Sequence, residues 1–94
     1  MFDIRKNEHG VILLFGRLDA SQTEKAKSLL DGVAESRTVD CSGLDYISSA
    51  GLGVLLATQK RLGERGQGLT LANLNEHIRD IFRVAGLDAV FRIE

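Results

Sequence analysis

Between Asp40 and Leu56 the chain changes its periodicity across one short polar stretch, and this restricts the fold more than any other feature of the sequence. Before the change, Val39 and Cys41 lie on one alternating face, the period of a strand. After it, Leu52, Leu55, Leu56, Gln59 and Leu62 recur at i, i+3, i+4, i+7 and i+10, the stripe of an amphipathic helix. Lys60, Arg61, Glu64 and Arg65 fall largely off that stripe. A helix is therefore expected from Ser49, joined almost directly to a strand. Its first N–H groups lack intrahelical partners and carry the positive pole of the macrodipole, so a hydroxyl or an anion there is well received. Ser48 and Ser49 occupy that end, and either suits an N-cap. Two serines stand where one cap suffices, and Gly51 and Gly53 follow in the first turn, where glycine costs about 1 kcal/mol relative to alanine. We read the glycines as clearing side chains from the surface so that another body can approach, and expect the elbow to be the functional site.

The flanking segments extend the same pattern. Phe2 to Glu8 and Val11 to Leu18 read as a hairpin around Asn7-Glu8-His9-Gly10. Val11 to Phe15 is apolar throughout, which suits a strand covered on both faces or nearly so. Ser21-Gln22-Thr23-Glu24 matches the capping box S-x-x-E, and Ala26, Leu29, Leu30 and Val33 form the stripe of a helix after it. Ser36 to Ser42 reads as a short central strand. Gly63, Gly66 and Gly68 punctuate a turn before the strand Leu69 to Ala72. A third helix, capped by Asn73 or Asn75, shows Ile78, Ile81, Phe82 and Ala85 and stops at Gly86; a β-prone run, Leu87 to Ile93, closes the chain. The order β-β-α-β-α-β-α-β, with helices at 21–35, 49–64 and 75–85, predicts one α/β domain over residues 1–94, a mixed sheet with helices packed on it.

The charge balance of 12 Lys+Arg against 13 Asp+Glu gives no electrostatic case for nucleic acid or an anionic membrane. No apolar run reaches the ~18–20 residues of a membrane span, and Met1-Phe2-Asp3-Ile4-Arg5-Lys6 is charged where a signal peptide needs its apolar segment. A cytoplasmic setting is expected, and the single Cys41 fits a reducing one. Catalytic and cofactor signals are weak. His9 and His77 lack metal-ligand companions, and Gly51-Leu52-Gly53 lacks the remaining elements of nucleotide motifs. Asp19, Asp40 and Asp45 show no paired-acid spacing and read as cap, turn or strand-end acids. We expect no catalytic residue, no metal site and no cofactor.

Four segments carry a resemblance: Gly16-Arg17-Leu18-Asp19, Asp40-Cys41-Ser42-Gly43, Tyr46-Ile47-Ser48-Ser49-Ala50-Gly51-Leu52-Gly53 and Val84-Ala85-Gly86-Leu87. With them the chain resembles, over nearly its whole length, STAS domains, the sulphate transporter and anti-sigma-factor antagonist family, in particular stand-alone bacterial antagonists. In that family the phosphoacceptor is the first hydroxyl of an Asp-Ser-Ser/Thr-Gly-Leu-Gly motif. Aligned on Gly51, the acceptor position is Ser49; Ser48 stands in place of the acid and Ala50 in place of the second hydroxyl, which keeps Ser48 as the alternative acceptor. Asp19 matches the family's acid beside the site.

The resemblance implies a partner surface made of Asp19, Ser48, Ser49, Ala50, Gly51, Leu52 and Gly53. It also implies an anti-sigma factor that is a serine kinase as partner, sigma release on binding, inactivation by phosphorylation at Ser49, and a serine phosphatase to reverse it. Two other readings stand beside this one. In the first, an unphosphorylated STAS scaffold or transporter-associated subunit has Ser49 as a mere cap. In the second, a nucleotide-binding module uses the helix N-terminus as its anion site.

Overall fold

The computed structural model describes residues 1–94. Strands β1 (Phe2–Lys6), β2 (Ile12–Leu18), β3 (Arg37–Ile47), β4 (Leu69–Ala72) and β5 (Arg92–Ile93) alternate, after the first hairpin, with helices α1 (Thr23–Leu30), α2 (Ser49–Gly63) and α3 (Glu76–Val84). The expected element order is the observed one. The hairpin turn is closed by Asn7, whose Oδ1 accepts from the N–H groups of His9 (2.9 Å) and Val11 (3.0 Å), while Gly10 takes φ +79°.

The strands lie in sequence order, β1 antiparallel to β2 and every later pair parallel. Three successive crossovers therefore step the same way along the sheet, and because such crossovers are right-handed, all three helices fall on one face. One core of 21 buried residues results, drawn from that face of the sheet and from the inner sides of the helices. The opposite face has no helical cover, contrary to the two-sided burial expected for Val11 to Phe15. Leu13 and Phe15 are only half-buried, and the aromatic rings of that face are capped by arginines, Arg5 at 4.9 Å over Phe15 and Arg17 at 4.3 Å over Tyr46.

The central strand is longer than expected. β3 continues five residues past Ser42, to Ile47, with core positions Val39, Cys41, Leu44 and Ile47. Their spacing changes from two to three because the pairing with β2 slips by one residue twice, between Leu13 and Phe15 and between Gly16 and Arg17. Each slip adds a residue to β3 and resets which side faces the core. Gly43 sits at the first slip, where a Cβ would lie 2.5 Å from the Phe15 ring.

Three other expectations are corrected. The Ser21–Glu24 capping box does not form: Ser21 is held by Asp19, whose Oδ1 accepts from the Ser21 N–H (3.0 Å) and Oγ–H (2.6 Å), so Ala20–Gln22 is a 3-10 turn and α1 begins at Thr23. α1 also ends early, at Leu30, and Arg61 of α2 donates to the carbonyls of Leu30 (2.9 Å) and Val33 (2.8 Å) where the chain unwinds. The final strand is only Arg92–Ile93, since Leu87–Ala89 is a 3-10 turn and Phe91 turns into the core, edge-on to Phe82 at 5.7 Å. α2 and α3 match their expected spans closely. Asn75, not Asn73, caps α3, accepting from the Ile78 N–H at 2.8 Å.

Candidate functional site

The site is built where β3 hands over to α2 in a single residue. Ile47 pairs with Leu18 at the ends of two parallel strands, and the Ser48 N–H continues the ladder by donating to the Leu18 carbonyl at 2.9 Å. Ser48 is thereby fixed in extended geometry (φ −88°, ψ 171°), the conformation an N-cap requires. Its Oγ accepts from the Gly51 N–H at 3.2 Å and its carbonyl from the Leu52 N–H at 2.9 Å. With the third and fourth amides of the helix so occupied, those of Ser49 and Ala50 are left without intrahelical partners. Ser49 is exposed at the first helical position, and the one side-chain hydrogen bond of the serine pair belongs to Ser48.

The two glycines have different environments. Gly51 is buried, and a Cβ on it would lie 2.8 Å from both the Leu18 carbonyl oxygen and Leu18 Cγ, and 2.9 Å from Ile47 Cγ1. Its hydrogen side chain lets α2 sit down on the strand ends, and does not clear the surface as the sequence suggested. Gly53 is exposed, with nothing within 4 Å of a built Cβ, and there the surface-clearing reading fits. Of the remaining positions expected at the site, Ala50 is exposed, Ser48 half-buried, and Leu52 buried in the core with one edge on a groove.

Asp19 follows Leu18 as Ser48 follows Ile47, so the two stand side by side at one end of the sheet. Its side-chain hydrogen bond from Ser21 holds the carboxyl below its ordinary range, helped by the Ser21 N–H and by the positive charges of Arg17 and the chain's amino terminus. A fixed negative charge thus flanks the serines at neutral pH. The other acids lie elsewhere: Asp40 accepts from the Ser42 N–H (2.9 Å) and from Asn73 (3.2 Å), bracing β3 against the chain after β4. Cys41 is buried, and desolvation pushes its thiol up to about 12, so it is an inert core group. No three His, Cys, Asp or Glu side chains gather as metal ligands.

Two grooves flank the Ser49–Ala50 ridge. One, of about 430 Å³, runs between α1 and α2 past Glu24, Lys27, Ala50 and Gly53. The other, of about 440 Å³, lies between α2 and α3 and has Ser49, Leu52 and His77 in its wall. In the sequence His77 stands out only as a histidine without metal-ligand companions. Nothing in a separation of 28 positions signals that it shares a wall with Ser49, and only the docking of α3 on the sheet brings the two together.

A family model described as "Mlab, STAS domain" matches residues 2–93. The chain belongs to the STAS domain family. Its relatives within that family include anti-sigma factor antagonists. It is 37% identical over 76 residues to BtrV of Bordetella bronchiseptica, assigned as such an antagonist, in an alignment covering 80% of this chain and 66% of BtrV. It is 30% identical over 94 residues to the anti-sigma-B factor antagonist of Listeria monocytogenes, covering 96% of this chain and 82% of that protein. Its STAS fold is that of the Bacillus antagonist SpoIIAA in two solved states. The unphosphorylated form superposes with TM-score 0.71 at 17% identity, over 100% of this chain and 87% of the other. The phosphorylated form does so with 0.70 at 19%, over 100% and 91%. No helix of this STAS domain is long and apolar enough to cross a membrane.

Proposed function

We propose that this STAS domain is an anti-sigma-factor antagonist that binds an anti-sigma factor with serine kinase activity, releases the sigma factor from it, and is switched off by phosphorylation at Ser49. The observation that carries the reading is the division of labour between the serines. Ser48 spends its hydroxyl on the cap, and Ser49 stands exposed at the first helical position with Asp19 and Gly53 nearby. The chain supplies a hydroxyl and a docking surface, and the chemistry of transfer belongs to the kinase. A phosphoserine adds about −1.5 to −2 charges and three acceptor oxygens, which an interface packed around a neutral hydroxyl does not accommodate. The same charge is received without strain by the domain itself, beside the open amides of Ser49 and Ala50 and the positive end of α2. The likeness of the fold to both states of SpoIIAA supports a switch that leaves the domain folded.

The scaffold reading assigned Ser49 to the cap, and that premise is weakened because Ser48 makes the capping bond. Incubation with ATP and each of the host's purified anti-sigma serine kinases, read by intact mass, tests the proposal. Wild type and Ser48→Ala are expected to gain one phosphate and Ser49→Ala none. Phosphate on Ser49→Ala but not on Ser48→Ala would move the acceptor to Ser48, and a wild type that remains unmodified would favour the scaffold. A serine phosphatase acting on the modified chain restores binding in this scheme.

A further inference from the structure

α3 carries more apolar surface than the sheet covers. Ile78 and Phe82 are buried and Ile81 is half-buried, yet Val84 is 82% exposed and Ala85, placed by sequence in the buried stripe, is exposed as well. A lone exposed valine needs no explanation. Here, however, Ile81, Val84 and Ala85 face Leu52 of α2 across the groove of about 440 Å³, an open, mostly apolar depression with room for one apolar side chain of a partner, which would be desolvated only once the partner covers it. On its polar side stand His77 and Asp80, and the Asp80 charge is offset by Arg83 at 2.7 Å.

The position of Ser49 in the same wall restricts what can fill this groove. Phosphoryl transfer requires the donor phosphate to touch the acceptor oxygen, so a kinase acting on Ser49 also covers what lies directly beside it. We infer that the α2–α3 groove is a docking site for an apolar anchor side chain of the anti-sigma kinase, and that Val84 sets how tightly that kinase holds this chain. The inference rests on the function proposed above and extends it to α3. Interface energy concentrates in a few apolar anchors seated in desolvated pockets, and a charge placed in such a pocket must be desolvated on binding.

The test uses Val84→Lys, whose side chain starts from an exposed position and suits the last turn of a helix, with Val84→Leu as the conservative control. Each of the host's anti-sigma serine kinases is purified; KM and kcat for Ser49 phosphorylation are measured, and Kd by calorimetry with ADP. Val84→Lys is expected to raise KM and Kd about tenfold or more, equivalent to 1.4 kcal/mol, with kcat, circular dichroism and melting temperature unchanged and Val84→Leu close to wild type. Wild-type KM and Kd in Val84→Lys, alongside loss of phosphate uptake in Ser49→Ala, would overturn the groove and leave the Ser49 reading standing. A wild type that neither binds nor is modified by any of these kinases would overturn both. If the wild type sediments as a dimer that Val84→Lys dissociates, the groove holds a second copy of the chain, and the inference is overturned.

Discussion

Alanine placed at Gly51 and at Gly53, two residues apart on one helix, is expected to change stability in opposite directions. Both glycines have negative φ in α2, so alanine fits either backbone, and replacing glycine inside a helix gains about 1 kcal/mol from propensity alone. At Gly53 that is the whole effect, since the added methyl meets nothing within 4 Å. Gly53→Ala should stabilise by about 0.5–1 kcal/mol, or ~2–8 °C in melting temperature for a domain of this size. At Gly51 the methyl would sit 2.8 Å from the Leu18 carbonyl oxygen and 2.9 Å from Ile47 Cγ1. The carbonyl belongs to a strand end pinned by its bond to the Ser48 N–H, so α2 must lift to make room. Overpacking costs about 1–3 kcal/mol, and contact with pinned backbone in place of a flexible side chain puts this case in the upper part, about 2–3 kcal/mol, so after the propensity gain of about 1 kcal/mol a net loss of about 1–2 kcal/mol is expected. Thermal melts by circular dichroism, with urea unfolding to convert the shifts to free energy, measure both. A Gly51→Ala variant as stable as wild type would refute the claim that this glycine seats the helix on the strand ends. A Gly53→Ala variant that loses stability would refute the open-surface assignment. For function, Gly53→Ala should hold its fold while weakening kinase binding, as the methyl intrudes on a surface left clear.

Three further outcomes follow from the same geometry. Ser48→Ala removes the cap and should cost about 0.5–1 kcal/mol, the low part of the capping range because its bond is long at 3.2 Å, whereas Ser49→Ala should stay within about ±0.5 kcal/mol; paired thermal melts check this. Ser49→Asp should keep its circular dichroism spectrum and melting temperature yet lose about a hundredfold or more in affinity for the kinase by calorimetric titration, because an unpaired charge buried at an interface costs several kcal/mol; weakened binding together with a large drop in melting temperature would show a switch that works by unfolding. Cys41 retains its proton in the folded chain up to about 12 but loses it from an ordinary value of 9.0 once unfolded. The native state therefore binds more protons between these values, and its contribution makes stability fall as pH rises through that window. Replacing Cys41 by alanine should flatten the fall seen in denaturant titrations from pH 9 upward, and at pH 8 the native thiol should resist a disulfide reagent that modifies it in guanidinium.

Local periodicity is enough to read the element order, the stripe of α2 and that of α3 apart from the exposed Ala85, because these depend on neighbours within a few residues; it leaves the α3 cap open between Asn73 and Asn75. The stripe of α2 was read correctly even at its polar member: Gln59 is half-buried because it accepts from the Leu69 N–H (2.7 Å) and donates to the Val90 carbonyl (2.9 Å). Reading failed where a distant partner changed the local rule. The length of β3 was missed because alternation is a template for a regular strand, and the two slips against β2 turn Cys41, Leu44 and Ile47 into a three-residue repeat. The capping box failed because Asp19 competes for the Ser21 hydroxyl at 2.6 Å.

At the site itself, the sequence alone determined that a helix starts at Ser49 beyond a strand, with two serines at its start and glycines in its first turn, since hydrophobic period and residue type are properties of a single segment. It left the serines interchangeable as caps, with Ser49 set apart as acceptor only by the family resemblance, and gave both glycines the same purpose. The tertiary structure separated each pair. The Leu18 carbonyl fixes Ser48 as the cap and so leaves Ser49 free; the packing of α2 on β2 and β3 buries Gly51 but not Gly53; and the docking of α3 sets His77 and Val84 around the groove that Ser49 lines. Each of these outcomes is decided by an atom tens of positions away in the chain, and contacts at that range exist only once the sheet has assembled.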